Sequence, residues 1–376
     1  MATTLGPVRP AALPRDKQGG PAPGGIPSRL VSLDAYRGFI MLLLISHGFG
    51  FSSLSAYPAF AWLSRQVDHV AWEGIVFWDL IQPAFMFMVG VAMPLAFARR
   101  LAEGDSPRKV FGHVVWRALM LILLSNVLSN FNSSKPPVFQ LINVLCQIAF
   151  AYVLCAAVMQ LNIRIQVAAA AVILAAHWAL FAIFPGPEGA FSREGNIGQV
   201  LDKAILGYNY SGYYVTINFL SSAVTMLFGA WTGQFLMMAK PHAEKAKALA
   251  VAAALCFAAG YALQPFNPMV KRIWTASFTF ASAGWVLAML LAFYWTIEMK
   301  GYRRWAFPAI VLGMNSIFIY SFSQVLSGWL RRGIGVFTDG FSFLGPAGAI
   351  PHNLLALAAM WYLCYWLYQR KLFLKI

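Results

Sequence analysis

An ionisable side chain inside an apolar run costs roughly 2.5–3.5 kcal/mol on membrane-insertion scales, so each such group needs a reason. Four places in this sequence hold polar groups of that kind. Asp34 and Arg37 are three residues apart and share a helix face. The pair either closes a helix end or offers Arg37 to an anion. His47, His69, Glu73 and Asp79 gather around one connection between apolar runs. Histidine is the side chain best placed to take a proton near neutral pH. A neighbouring carboxylate can fix its tautomer and stabilise the imidazolium. Asn143 and Gln147, spaced i,i+4, point the same way on a helix. They serve either a ligand or a partner helix, the latter worth about 0.6 kcal/mol on average. Asn315, in Gly313-Met314-Asn315-Ser316 with Gln324 further along, is open to the same two readings.

The elements that must position these groups are membrane helices. Of the 376 residues, 60% are hydrophobic and only 11% charged, against about 25% charged in a soluble domain. That excludes an ordinary soluble enzyme and a disordered chain. The net charge of +15 is scattered in short groups between apolar runs, so it forms no nucleic-acid face. Cys146, Cys155, Cys256 and Cys364 lie inside apolar runs without C-x-x-C spacing, and neither a disulfide framework nor a metal site is expected. A span needs about 20 apolar residues. Ten segments qualify, at 31–52, 75–98, 110–130, 138–161, 165–184, 215–239, 247–264, 274–298, 306–328 and 350–369.

The expected fold is therefore all-α, a polytopic membrane protein of about ten transmembrane helices in one bundle. Residues 1–29 are rich in Gly and Pro and read as a disordered cytoplasmic tail. Residues 30–376 form the transmembrane domain. Lys and Arg are more than twice as frequent on one side of this topology, which places both termini in the cytoplasm and the protein in the inner membrane. Two outer loops, 53–74 and 185–214, are long enough to carry function. The second holds Tyr208, Tyr210, Tyr213 and Tyr214, which suit either a sugar ring or an aromatic membrane belt.

Several segments carry a resemblance. Ser32-Leu33-Asp34-Ala35-Tyr36-Arg37-Gly38 is similar to an S-L-D-x-x-R-G opening, and His69-Val70-Ala71-Trp72-Glu73-Gly74 to H-x-x-W-N-G. Asp79-Leu80, Pro83, Phe87 and Val89-Gly90 continue that signature. Trp274-Thr275-Ala276-Ser277-Phe278 and Gly313-Met314-Asn315-Ser316-Ile317 follow in the same order. Together, over about residues 30 to 330, they resemble the membrane acyltransferases related to heparan-α-glucosaminide N-acetyltransferase. Three places depart from that pattern. Glu73 stands where Asn is usual, Ser46-His47 ends the first span where Asn is expected, and Asn143, Cys146 and Gln147 replace a Gly…Gln-Arg pattern.

The resemblance implies acetyl transfer from cytoplasmic acetyl-CoA, a co-substrate, to the amine of an amino-sugar or glycan on the outer face. No metal is expected. It implies that His69 is the catalytic base, and Asp79 follows as its orienter or as counter-ion for an incoming ammonium. Arg37, paired with Asp34, and Arg117 are expected at the CoA phosphates. Asn143, Gln147 and Asn315 are expected at the thioester carbonyl or the pantetheine amides. His47, Trp72 and Glu73 are expected at the acceptor, with His47 the rival base. The partners expected are acetyl-CoA, the acceptor and the lipid bilayer, with no nucleic acid; a homodimer is left open. A transporter or flippase of amino-sugars or lipid-linked sugars is the alternative, since buried polar groups on several helices serve transport as well.

Overall fold

The computed structural model describes residues 30–131, 133, 136–209 and 214–374. The tail expected at 1–29, together with Lys135, Tyr210 and Tyr213, lies outside the described residues. The chain is an all-helical, polytopic membrane protein. Among the described residues, seven helical stretches are long and apolar enough to cross a membrane, the last of them (Ser316–Gln369) holding two helices. Val144–Val158 and Arg304–Met314 are apolar but shorter.

Helix α1 (Val31–Ser46) begins with Asp34 in its first turn, where a negative charge meets the positive end of the helix dipole. Its Ser32 N–H donates to Glu298 Oε1 at 2.9 Å, satisfying one of the orphan donors of the first turn. The helix stops six residues short of the expected span end. His47, Gly48, Phe49 and Gly50 all take positive φ, a left-handed run that turns the chain away from the helix. Gly50 permits close approach there, since a Cβ would lie 2.6 Å from Ala349 O. The loop that follows holds α2 (Ala61–Gln66) and reaches a 3₁₀ turn, Phe77–Leu80. That turn leads into α3 (Ile81–Ala102).

Helix α4 (Pro107–Phe131) is followed by an extended segment and α5 (Val144–Val158). The expected fourth span began at 138, but residues 138–140 are held outside helix. Asn126 and Asn130 on α4 pair with the backbone of Gln140 and Val138, and Tyr208 donates to Phe139 O from another segment. Then come α6 (Ile163–Ile183), α7 (Ile197–Leu206) within the second long loop, and α8 (Phe219–Met237). Helices α9 (His242–Leu263) and α10 (Ala276–Tyr294) follow.

The ninth expected span is interrupted. Helix α11 (Phe307–Met314) ends at Asn315, which has non-helical dihedrals, and α12 (Ser316–Thr338) restarts beyond it. Helix α13 (Ala349–Gln369) closes the bundle.

The closest helix crossings use glycines from the sequence segments quoted above. A Cβ on Gly38 would sit 1.6 Å from Ala309 O, and one on Gly313 would sit 2.7 Å from Asp34 O. Helices α1 and α11 therefore touch backbone to backbone, the contact small residues allow in membranes. Gly90 on α3 meets Met226 O on α8, and Gly229 on α8 meets Phe87 O on α3. One core forms around α1, α10 and α11, and a second around α5 and α8, with α3 contributing to both.

Candidate active site

Between the two cores runs a cavity of about 530 Å³, within the usual range for a ligand site. His69, Tyr214 and Lys271 line one end, and Arg37, Arg117, Gly313 and Leu374 another part of its wall. Most of the lining between is apolar, including Met41, Leu44, Phe85, Met88, Leu121 and Ile148.

The His69 end is assembled from three segments distant in sequence. His69 lies in the connection before the 3₁₀ turn that carries Asp79. Phe77 N–H donates to Gln66 Oε1 at 3.0 Å, fixing the approach to that turn. Gly74 N–H donates to Met269 O at 2.8 Å beside the antiparallel bridge Glu73–Val270. That bridge brings the 264–275 connection, and Lys271 with it, against the His69 segment.

Three hydrogen bonds hold the Lys271 connection. Val270 N–H donates to Thr275 Oγ1 at 3.0 Å, and Asn218 Nδ2 donates to Arg272 O at 3.2 Å. Trp274, fully buried at φ 57°, donates Nε1–H to Thr225 Oγ1 at 3.1 Å. A positive φ is costly for a side chain of that size, and its burial and hydrogen bond offset the strain.

The resulting geometry is tight. His69 Nδ1 lies 2.7 Å from Asp79 Oδ1. Lys271 Nζ lies 3.2 Å from the same oxygen and 3.3 Å from His69 Nδ1. Val70 N–H reaches Asp79 Oδ2 at 3.4 Å. Asp79 is 1% exposed and Lys271 5%, while the His69 side chain is 41% exposed. With Nδ1–H donating to Asp79, Nε2 is left as the basic nitrogen. Burial pulls the Lys271 ammonium down to about 8, against the opposing pull of Asp79. Tyr214 joins the same end with Arg272 stacked 4.7 Å from its ring. Its segment is anchored by buried Asp202, whose carboxylate accepts from Thr216 N–H and Asn209 Nδ2.

Elsewhere on the wall, Arg37 donates Nη2–H to Asp34 Oδ1 at 2.9 Å and Nε–H to Gly313 O at 3.1 Å. Arg117 reaches the cavity from α4, with its guanidinium 5.7 Å from the Tyr152 ring centre. Gln82 lines the cavity and donates Nε2–H to Gln147 Oε1 at 2.8 Å. Gln147 itself stands one layer behind, bordering a much smaller space with Asn143, Thr216 and Asn218.

Other residues expected at the site are occupied differently. Asn143 is not on a helix face but at the cap of α5, its Oδ1 accepting Cys146 N–H at 2.9 Å. Asn315, fully buried, donates to Leu372 O and accepts from Leu374 N–H, both at 3.1 Å. It thereby brackets the segment that brings Leu374 to the cavity wall. Trp72 donates Nε1–H to Phe191 O at 2.8 Å and packs on the Phe181, Val215, Val270 and Ile273 cluster. Glu73 borders a separate outer groove with Tyr261 and Gln264. His47 sits in the left-handed turn and does not line the cavity.

Lys271 escaped the sequence reading. It was one more loop cation, 202 positions from its partner His69. The available signal was its place three residues before Trp274, at the edge of a segment already recognised. Gln82 gave no comparable sign, whereas Tyr214 was one of the four loop tyrosines suited to a sugar ring or a membrane belt.

Comparison with known proteins bears on this geometry. A sequence profile for the catalytic region of heparan-alpha-glucosaminide N-acetyltransferase matches residues 29–266. The mouse heparan-alpha-glucosaminide N-acetyltransferase is 23% identical over 422 aligned residues, covering 93% of this chain and 61% of the relative. The human protein of the same name is 24% identical over 428, covering 93% and 60%. The chain spans about three fifths of the length of these relatives. The match takes in Arg37, His69 and Asp79, and it covers more than half of the sequence. This polytopic membrane chain, with its His69–Asp79 pair facing a central cavity, belongs to the heparan-alpha-glucosaminide N-acetyltransferase catalytic family.

Proposed function

We propose that the protein transfers an acetyl group from cytoplasmic acetyl-CoA to the amine of an amino-sugar presented at the outer face. The observation that carries this reading is one cavity that holds a base, hydrogen-bonded to its carboxylate, together with two arginines. A thioester drawn in from the Arg37 side would bring its carbonyl toward His69, while the acceptor approaches from the loops around Tyr214.

Each residue then has a task. Arg37, steadied by Asp34, and Arg117 attract the phosphates of CoA, a charge-assisted contact. The apolar middle accepts the pantetheine arm, with Gln82 to meet an amide and Gln147 to hold Gln82. His69 Nε2 removes a proton from the attacking nitrogen and returns it to the departing sulfur. Asp79 fixes the tautomer and stabilises the imidazolium. Tyr214 offers a ring on which the sugar stacks. Asn143, Asn315 and Trp72 act one step removed, by holding the cap of α5, the Leu372–Leu374 segment and the His69 connection.

The break at Asn315 beside the cavity is the one feature that favours a transporter, whose sites often lie at interrupted helices. One experiment separates the two. Purified protein in lipid nanodiscs is incubated with radiolabelled acetyl-CoA and glucosamine, and the product is analysed for N-acetylglucosamine. Its formation by wild type and its loss in His69→Ala support transfer. Sugar uptake into proteoliposomes without acetylation would replace it with transport.

A further inference from the structure

Acyl transfer needs a donor for the oxygen that becomes negative as the carbonyl is attacked, held in a water-poor site. The two asparagines that the sequence offers for this are engaged with backbone groups. Asn143 caps α5 and Asn315 brackets Leu372 and Leu374. Lys271 is a buried cation on the cavity wall beside the base.

Its hydrogen bonds can be counted. An ammonium has three N–H donors. One is directed to Asp79 Oδ1 at 3.2 Å. In the tautomer that makes His69 a base, Nδ1 carries its proton toward Asp79 and has no lone pair for Lys271, despite the 3.3 Å approach. Two Lys271 donors are thus unspent in the reactive state, on a group that lines the cavity. A positive charge there is worth more than in water, because low-dielectric surroundings screen it little.

We propose that Lys271 is a catalytic residue, donating a hydrogen bond to the thioester carbonyl and to the oxyanion formed from it. The proposal rests on the acetyl-transfer reading and adds the group that carries the developing charge. In the step, the acceptor nitrogen forms a bond to the carbonyl carbon and the C=O π pair moves onto oxygen, where Lys271 meets it. His69 Nε2 takes one proton from that nitrogen. On collapse the oxygen pair re-forms C=O, the C–S bond breaks, and the sulfur leaves as thiolate and takes the proton from His69. The products are the N-acetyl group and free CoA thiol, with no net change in protons for a neutral amine.

The competing role is that of a counter-ion acting only through Asp79. The carbonyl itself distinguishes them. Acetyl-CoA labelled with ¹³C at the carbonyl is bound to wild type, Lys271→Met and Lys271→Arg, and its C=O stretch is read by difference infrared spectroscopy. In wild type the bound carbonyl absorbs at lower frequency than free acetyl-CoA. Lys271→Met returns it to the free value, lowers kcat about 10²–10³-fold, the range seen on losing one oxyanion donor, and leaves CoA affinity within about twofold. Lys271→Arg restores part of the shift and part of kcat. If Lys271→Met does not fold, Lys271→Gln, which keeps a donor for Asp79 without the charge, should show a reduced shift. An unchanged carbonyl frequency in a folded Lys271 variant overturns the proposal, as does an unshifted carbonyl in wild type. Failure of wild type to bind acetyl-CoA is a different result and removes the donor reading itself.

Discussion

The two polar regions of the cavity wall are built on opposite plans. At the His69 end, side chains hold one another: His69, Asp79 and Lys271 lie within 2.7–3.3 Å of each other, with Lys271 keeping donors for the cavity. Both charges of the Asp79–Lys271 pair are almost fully buried. At Arg37 the guanidinium leans on one carboxylate and one backbone carbonyl and stays 36% exposed. Mutual contacts hold these groups in place, and a preorganised donor costs little reorganisation during reaction. A half-exposed arginine is suited to holding a phosphate rather than stabilising a transition state. Under the proposed function, the contrast matches chemistry to one region and capture to the other.

The largest expected effect tests the first assignment. His69→Ala should lower kcat by at least about 10³-fold, and Asp79→Asn by about 10²-fold or more, in the range for lost general-base catalysis. Isothermal titration should find CoA affinity nearly unchanged. A matching collapse of CoA affinity would erase the division of labour.

The second effect is pH-dependent. Burial brings the Lys271 ammonium down to about 8, with Asp79, His69, Arg272 and Tyr214 as its charged and titratable neighbours. Because the protonated form is the one required, the Lys271 contribution is present below that pH and is lost as pH rises through it, so activity falls on the alkaline side, about tenfold per unit well above. Lys271→Arg should remove this alkaline fall over the accessible range. A rate profile that keeps it in Lys271→Arg assigns it elsewhere.

Capture is tested by Arg37→Ala, which should weaken CoA binding by about tenfold, roughly 1.4 kcal/mol, with kcat at saturating donor largely retained. Size-exclusion chromatography checks that the α1–α11 contact survives. A lost kcat with intact affinity would move Arg37 into the chemistry. The smallest effects belong to residues outside the cavity. His47→Ala and Glu73→Gln should each change kcat/KM for free glucosamine by less than about threefold, the expectation for positions that meet no reacting group.

Much of this was legible because it is local in sequence. Asp34 and Arg37 pair at i,i+3, and His69 and Asp79 are joined by a ten-residue connection. Apolar length marked the helices, since lipid leaves the backbone few alternatives. What escaped was set by contacts across the chain. The break in the ninth apolar run depends on Asn315 turning its amide to residues 372 and 374. The late start of α5 depends on two asparagines of α4. The i,i+4 spacing of Asn143 and Gln147 suggested one helix face, but a cap competes with helix for an asparagine, and Asn143 took the cap. Lys271 needed a tertiary bridge, Glu73–Val270, to become a neighbour of His69.

The apolar lining between the polar regions has a consequence for the membrane itself. A water-filled cavity in a membrane protein is a hazard where an ion gradient stores energy. Met41, Leu44, Phe85, Met88, Leu121 and Ile148 line the middle of this one. Few groups there can anchor a chain of waters, which needs two to four polar partners for each molecule, and hydrophobic constrictions in pores close by drying. The side chains that would suit a flexible arm thus give a file of water little to hold.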